Sequence, residues 1–183
     1  MTISDNGTSH APKTLPKLCL AAIRRYAKAD ALNHKRGGRW INISAETFIE
    51  RVRAVAVGLA SLGIKAGDRV ALLSENRPEW SITDLAILSL GAVNVPIYTT
   101  QAVEQVRFIL EDSGARLLFV SGRKVFKHAR AGIESVEQLE RIVFFDAEAA
   151  EGVERALTLD ALESRGADGD RREPEIYDRA VET

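Results

Sequence analysis

Apolar positions in the first third of the chain recur at the spacing of an α-helix. Residues 14–28 predict a helix with Pro16 in its first turn and with one apolar face, formed by Leu15, Leu18, Ala22 and Tyr26. Residues 31–43 predict a β-hairpin that turns at Gly37 and Gly38, where a positive φ costs little. A longer helix is predicted over residues 44–62, capped by Ser44 and ended by Gly63, with the apolar face Phe48, Val52, Val55, Leu59 and Leu62.

Short apolar runs alternate with helical segments from residue 70 onward. The runs predict four strands, over residues 70–73, 92–97, 117–120 and 142–145. The segments between them predict helices over residues 78–90, 102–112 and 123–131, the first apolar nearly all round and therefore buried on more than one side. This alternation indicates βαβ units with right-handed crossovers. The predicted fold class is α/β, a largely parallel sheet flanked by helices, with a β-hairpin near the N-terminus.

The two ends of the chain differ in composition from its middle. Residues 1–13 are polar and predict a disordered lead-in. In residues 163–183, 11 of 21 residues are charged, which predicts a surface or linker segment after a short helix over residues 157–163. Residues 14–162 are therefore the expected folded α/β subdomain.

Composition narrows the class of protein. Apolar residues make up 45% and charged residues 28% of the chain, as in an ordinary globular protein. The formal net charge is −1 and no block of Lys and Arg stands out, so a nucleic-acid partner is not expected. The one cysteine, Cys19, excludes an internal disulfide and is expected to be a small buried apolar residue. We expect a cytoplasmic protein, because neither a signal peptide nor an apolar run that could span a bilayer is visible; the sequence leaves open a peripheral location at the membrane.

The chain carries no phosphate-binding loop. The nearest match to a Walker loop, GLASLGIKA at residues 58–66, has its lysine one place late, ends in Ala66 without a hydroxyl, and completes a helix. His10, His34 and His128 are far apart, and we expect their imidazoles to be solvated or to face the hairpin. The predicted helix over residues 123–131 has a cationic face that we expect to be solvated. The alternative is that this face contacts an anionic cofactor or a membrane surface. Its residues are Arg123, Lys124, Lys127 and Arg130. No catalytic, cofactor-binding or metal-ligating residue is assigned.

Residues 74–80, SENRPEW, follow directly on a predicted parallel strand. Open α/β sheets bind ligands at that end of their strands, and the N-terminus of the next helix could face an anion. The structural interpretation is favoured instead: Asn76 caps the helix, Pro78 fixes its first turn and Trp80 packs into the core.

This run belongs to a resemblance that extends from about residue 14 to residue 145. It comprises RWINIS at 39–44, LGI at 62–64, GDRVAL at 67–72, ENRPEW at 75–80, GAVNVPIYTT at 91–100 and QVRFILEDSGAR at 105–116. In this order and spacing they resemble the N-terminal part of AMP-forming acyl-CoA synthetases, the adenylate-forming ligases. The NRPEW run and the YTT end are similar to the long-chain fatty acid type.

The resemblance implies a two-step reaction with the cofactors ATP, Mg²⁺ and CoA, in which a fatty carboxylate forms acyl-AMP and the CoA thiol then displaces AMP. In the family, a Ser/Thr/Gly-rich loop, later acidic and aromatic motifs and a lysine on a C-terminal lid perform the chemistry, and all lie after the region seen here. The chain is therefore expected to be an N-terminal portion that is inactive alone and leads toward the phosphate loop.

The implied partners are the remainder of the ligase chain and its fatty acid substrate, and self-association through exposed apolar surface is also expected. Two alternatives stay open: a standalone, non-catalytic interaction module of the same fold, or part of an adenylate-forming enzyme that acts on aryl or amino acids. The acyl chain length is not fixed by this sequence.

Overall fold

The computed structural model describes residues 14–175, 177 and 178. It contains six α-helices, seven strands and one short 3₁₀ turn among those residues. In chain order they are α1 (Leu15–Tyr26), β1 (Leu32–Arg36), β2 (Arg39–Ile43), α2 (Ala45–Ser61), β3 (Arg69–Leu73), α3 (Pro78–Ser89), β4 (Val93–Ile97), α4 (Val103–Ser113), β5 (Leu117–Val120), α5 (Arg123–Glu134), β6 (Arg141–Phe144), the 3₁₀ turn (Ala147–Ala149), β7 (Ala156–Thr158) and α6 (Leu159–Arg172).

Five strands form one parallel sheet in the order β4-β3-β5-β6-β7. The hairpin β1–β2 forms a separate antiparallel pair, and its turn residues Gly37 and Gly38 have φ of 57° and 80°. The predicted α/β class, the hairpin and the four predicted strands are confirmed. The edge strand β7 was not predicted, because its three residues are too few to show the alternation of apolar and polar residues that indicates a strand.

The core lies on both faces of the sheet. Side chains alternate along each strand, so that one set faces α2, α3 and α6, and the other set faces α4 and α5. On β3, for example, Val70 and Leu72 belong to the first set, and Ala71 and Leu73 to the second. Because strands buried on both faces read as continuous apolar runs, β3 and β5 could be found from the sequence.

Helix α1 forms as predicted, but the predicted buried face is wrong. Leu15, Leu18 and Tyr26 are 60%, 54% and 69% exposed, whereas Pro16 and Leu20 are buried. The helix carries two apolar stripes, and it packs on α2 and α3 through the one that contains Leu20. Periodicity detects both stripes and gives no reason to choose between them.

The charged C-terminal segment is not a linker over its first ten residues. Helix α6 runs on to Arg172 and packs along α2, where Leu162 and Gly166 are buried. Its charged side chains pair with those of α2, as Arg51 does with Glu163 at 2.8 Å and Arg53 with Asp170 at 2.8 Å. The high charge therefore reflects a paired helix surface. The predicted lead-in, residues 1–13, lies outside the described residues.

Backbone contact explains how α6 lies so close to α2. A Cβ at Gly166 would overlap the carbonyl oxygen of Ala54 and would stand 2.8 Å from the backbone nitrogen of Gly58. A Cβ at Gly58 would in turn stand 2.5 Å from the carbonyl oxygen of Leu162. Glycine at both positions is thus required by the close approach of the two helices.

Within the part of the chain that the structure describes, no helix has the length and apolar character needed to cross a bilayer.

Candidate functional site

The order in which the chain adds strands to the sheet reverses at β3. Strand β4 lies on one side of β3, and the chain then crosses back to place β5 on the other side. A crevice forms at the carboxyl ends of the strands at such a switch point, and open α/β sheets bind their ligands there. The loops that border it follow β3, β5 and β6.

Arg77 ties these three loops together. Its Nε donates to Glu79 Oε2 at 2.8 Å, and its Nη1 and Nη2 both donate to Asp146 Oδ1 at 3.0 Å. Nη1 also lies 3.3 Å from the carbonyl oxygen of Ser121, and the guanidinium stands 5.5 Å from the ring centroid of Phe145. One side chain from the loop after β3 thus binds the residues that follow β5 and β6.

The electrostatics of Arg77 and Glu79 favour an ionised pair. Burial acts to lower the pKa of Arg77, but the hydrogen bond and charge of Glu79, together with Asp146, raise it above its ordinary value. Burial acts to raise the pKa of Glu79, but the hydrogen bond from Arg77 leaves it below the usual range of a glutamate. Both groups therefore stay charged at neutral pH.

Gly122 allows Asp146 to reach this position. A Cβ at residue 122 would overlap Asp146 Oδ2 and would stand 3.2 Å from its Cγ. Gly122 has an extended backbone with φ 179°, which any residue can adopt, so only the close approach requires glycine here.

Two clefts open beside this cluster. One, of about 690 Å³, lies between the loops after β4, β5 and β6 and is lined by Thr99, Thr100, Gly122, Lys124 and His128. The other, of about 780 Å³, lies between the hairpin and the start of α3 and is lined by His34, Trp40, Arg77 and Glu79 among others. Glu75 and Asp146 line both clefts, so they form the wall between them.

The predictions for residues 74–80 are confirmed in part. The segment follows the parallel strand β3, Pro78 occupies the first turn of α3, and Trp80 packs against the core. The expected cap at Asn76 is wrong, because Arg77 is the N-cap residue and no side chain caps the helix there. The Arg77 guanidinium instead donates hydrogen bonds to Glu79 and Asp146. The sequence spacing did not indicate these two partners.

Asp146 is the site residue that the sequence reading missed. Its signal was its position directly after the predicted strand 142–145, at the same edge of the sheet as residues 74–80.

Among the remaining candidates, His34, Lys124 and His128 line the two clefts beside the Arg77 cluster. His34 is half-buried in the hairpin, and His128 Nε2 lies 3.0 Å from the carbonyl oxygen of Gln101. Cys19 packs half-buried against the core. The four cations of α5 are exposed, and two of them have acidic partners: Arg123 pairs with Glu151, and Arg130 with Glu134. His10 lies outside the described residues.

No group of three His, Cys, Asp or Glu side chains within the described ranges could hold a metal ion.

A family model described as AMP-binding enzyme matches residues 20–176, most of the chain and all of the sheet. The chain belongs to the AMP-binding enzyme family. This AMP-binding chain is also 51% identical over 82 residues to the long-chain-fatty-acid–CoA ligase FadD15 of Mycobacterium bovis, a stretch that covers 45% of the chain and 14% of that relative. It is 29% identical over 129 residues to the ligase ACSBG2 of Gallus gallus, covering 70% of the chain and 16% of the relative.

Solved structures of adenylate-forming enzymes share the fold of the AMP-binding chain. A mutant form of coronafacic acid ligase from Pectobacterium brasiliense has a TM-score of 0.67 at 25% identity, covering 79% of this chain and 29% of that one. The A-PCP didomain of carboxylic acid reductase from Segniliparus rugosus, in complex with AMP, has a TM-score of 0.73 at 21% identity, covering 84% and 26%. The chain spans between 14% and 21% of the length of the curated relatives it matches.

Proposed function

We propose that the chain is the N-terminal part of an AMP-forming long-chain fatty acid CoA ligase. The observation that carries the proposal is the 51% identity to a ligase of that name within a family match over residues 20–176. In the proposed reaction, a fatty carboxylate attacks the α-phosphorus of ATP and releases pyrophosphate. The CoA thiol then attacks the acyl carbon of the acyl-AMP and releases AMP.

In this proposal the chain supplies a scaffold and one wall of the reaction chamber. The carboxyl edge of the sheet is the surface that would face the substrates, and the Arg77 cluster would keep its three loops together. ATP, Mg²⁺ and CoA would serve the longer enzyme, whose later residues would supply the phosphate-binding and metal-binding groups. Its N-terminal subdomain would extend from residue 14 to the end of α6, which packs on α2, and the residues after α6 would lead toward the phosphate loop.

The proposed partner is the remainder of the ligase chain. Exposed large apolar side chains near the edge strand β4 support it, namely Val93, Tyr98 and Phe108. Self-association through the same surface is the second candidate. The proposed location is the cytoplasm, where ATP and CoA are available.

The test compares the 183-residue chain with the product of its natural reading frame. Fatty-acid-dependent exchange of pyrophosphate into ATP is measured for both, with palmitate as the acid. We expect exchange only with the longer product and none above a protein-free control with the 183 residues. Exchange by the short chain would contradict the assignment of the chemistry to later residues. A stop codon directly after Thr183 would instead favour a standalone binding module.

Another adenylate-forming activity is the second candidate function. Its support is the likeness to coronafacic acid ligase, at 25% identity. Benzoate, anthranilate and a set of amino acids, offered to the longer product beside palmitate, separate the two. Exchange that depends on an aryl or amino acid and not on palmitate would overturn the fatty acid assignment.

A further inference from the structure

The β1–β2 hairpin stands apart from the five-stranded sheet. Among the described strands, its two strands pair only with each other. Its base is tied to the segment after α1, because the Ala45 N–H donates to the carbonyl oxygen of Lys28 at 2.8 Å. Directly before this base, Ala27 has a φ of 44°, in the left-handed region that costs energy for a residue with a Cβ. Backbone rotation at these few residues would turn the hairpin as a unit.

Opposite charges line the cleft of about 780 Å³ between the hairpin and the carboxyl edge of the sheet. Lys35 and Arg36, the hairpin cations, belong to β1. Glu75 and Glu148, the edge carboxylates, belong to the loops after β3 and β6. All four side chains are exposed, and none of them forms an ion pair within the part of the chain that the structure describes. The cleft therefore separates charges that would attract each other on closer approach.

Two further side chains of the cleft wall are poorly accommodated while the cleft is open. Trp40 lines the cleft and is 70% exposed. His34 Nδ1 is buried and has no hydrogen-bond partner among the described residues. Large apolar side chains gain from burial, and buried polar atoms gain from a partner, so a narrower cleft would favour both.

We propose that the β1–β2 hairpin is a lid that closes over the carboxyl edge of the sheet by pairing the hairpin cations with the edge carboxylates. Exposed ion pairs contribute little each, so two of them shift the equilibrium between the open and closed forms by about fivefold. Both forms are therefore populated. Because Glu75 also lines the second cleft, closure changes the entrance to that cleft as well.

The purpose of the lid rests on the proposed function. The carboxyl edge is the surface that would face the substrates, and an acyl-AMP there is open to attack by water. A lid that closes over this edge would exclude water while the intermediate waits for the CoA thiol.

Quenching of Trp40 fluorescence by acrylamide measures closure in the 183-residue chain. The chain has two tryptophans, so a Trp80→Phe background makes the emission report Trp40 alone. Acrylamide is uncharged, so added salt does not change its approach to the protein. We expect a quenching constant about twofold larger at about 0.5 M salt than at about 0.02 M, because salt screens the ion pairs and opens the lid. A constant that does not depend on salt would overturn the proposal.

Removal of the edge carboxylates tests which charges hold the lid. Glu75→Gln/Glu148→Gln should show the larger quenching constant at both salt concentrations. The matched control Glu104→Gln/Glu137→Gln removes two exposed carboxylates elsewhere and should keep the salt dependence. Equal effects of the two variants would show a response to net charge alone and would overturn the pairing.

Exchange of the charges gives a second set of variants, which keeps the test decisive if one protein fails to fold. Lys35→Glu/Arg36→Glu should open the lid, and the addition of Glu75→Lys/Glu148→Lys should restore the dependence of quenching on salt. Failure of the exchanged protein to regain it would contradict pairing across the cleft.

A contact between two copies of the chain is an outcome of the same experiment. Salt dependence that changes with protein concentration would show such a contact and would overturn the lid. Quenching needs no ligation, so failure of the proposed reaction and failure of the lid are observed separately.

Discussion

At the scale of the residue, the carboxyl edge of the sheet depends on one guanidinium and one missing Cβ. Arg77 holds Asp146, and Asp146 occupies a position that only glycine at residue 122 leaves free. Hydrogen bonds between ionised groups contribute more to stability than neutral ones, because the opposite charges strengthen the attraction. The arrangement therefore couples two residues that are distant in the chain.

We expect Gly122→Ala to lower the free energy of unfolding by about 2 kcal/mol, because the new methyl group displaces the Asp146 carboxylate from Arg77. In an Asp146→Ala background the same change should cost less than about 0.5 kcal/mol, since the overlapping atoms are gone. Urea unfolding of the four proteins of this double-mutant cycle measures the coupling. Additive effects in the two backgrounds would contradict the contact.

At the scale of the element, α6 shows how charge can conceal a packed helix. Its surface is rich in charged residues, yet Leu162 and Gly166 are buried against α2. Burial raises the pKa of Glu163 above its ordinary value, although the hydrogen bond from Arg51 acts in the opposite direction. The two helices are held together by the close approach of their backbones and by the burial of Leu162. The ion pairs lie on either side of this contact.

We expect Gly166→Ala to destabilise the protein by about 3 kcal/mol, since its Cβ would overlap rigid backbone at Ala54. Gly169→Ala, three residues on in the same helix, is the matched control. Its Cβ would stand 3.1 Å from the movable Val57 Cγ1, and the gain in helix propensity offsets the contact, so the change should stay within about 1 kcal/mol. Thermal and urea unfolding measure both; similar losses would contradict the close packing of α6 on α2.

At the scale of the whole molecule, the C-terminal segment completes the layer of helices on one face of the sheet. Leu159 and Leu162 join the same core cluster as α2 and α3, and so does Tyr177, whose hydroxyl lies 3.4 Å from Ser89 Oγ. Each such side chain contributes about 2 kcal/mol when buried, so the three together match the marginal stability of an ordinary domain.

We therefore expect a chain that ends at residue 158 to lose cooperative urea unfolding, which the 183-residue chain should show. A peptide of residues 159–178 added in trans should restore part of the transition, and a scrambled peptide of equal composition should not. Cooperative unfolding of the shortened chain with an unchanged midpoint would mean that α6 is dispensable.

The sequence by itself determined the elements that rely on local chemistry. The hairpin follows from Gly37 and Gly38, the ends of α2 from Ser44 and Gly63, and the parallel sheet from apolar runs that are buried on both faces. The family resemblance followed from motifs whose order and spacing the chain preserves, and the family match over residues 20–176 confirmed it.

Only the tertiary structure decided which surfaces meet. The stripe of α1 that contains Leu20 is buried, and the stripe that contains Leu18 is exposed. Helix α6 packs along α2 because Gly58 and Gly166 allow the two backbones to approach, and these glycines are far apart in the chain. The tertiary structure also joined Arg77 to Asp146, which stand 69 positions apart. Local propensity and periodicity describe neighbouring residues only, so contacts between distant residues are decided by the packing of the complete fold.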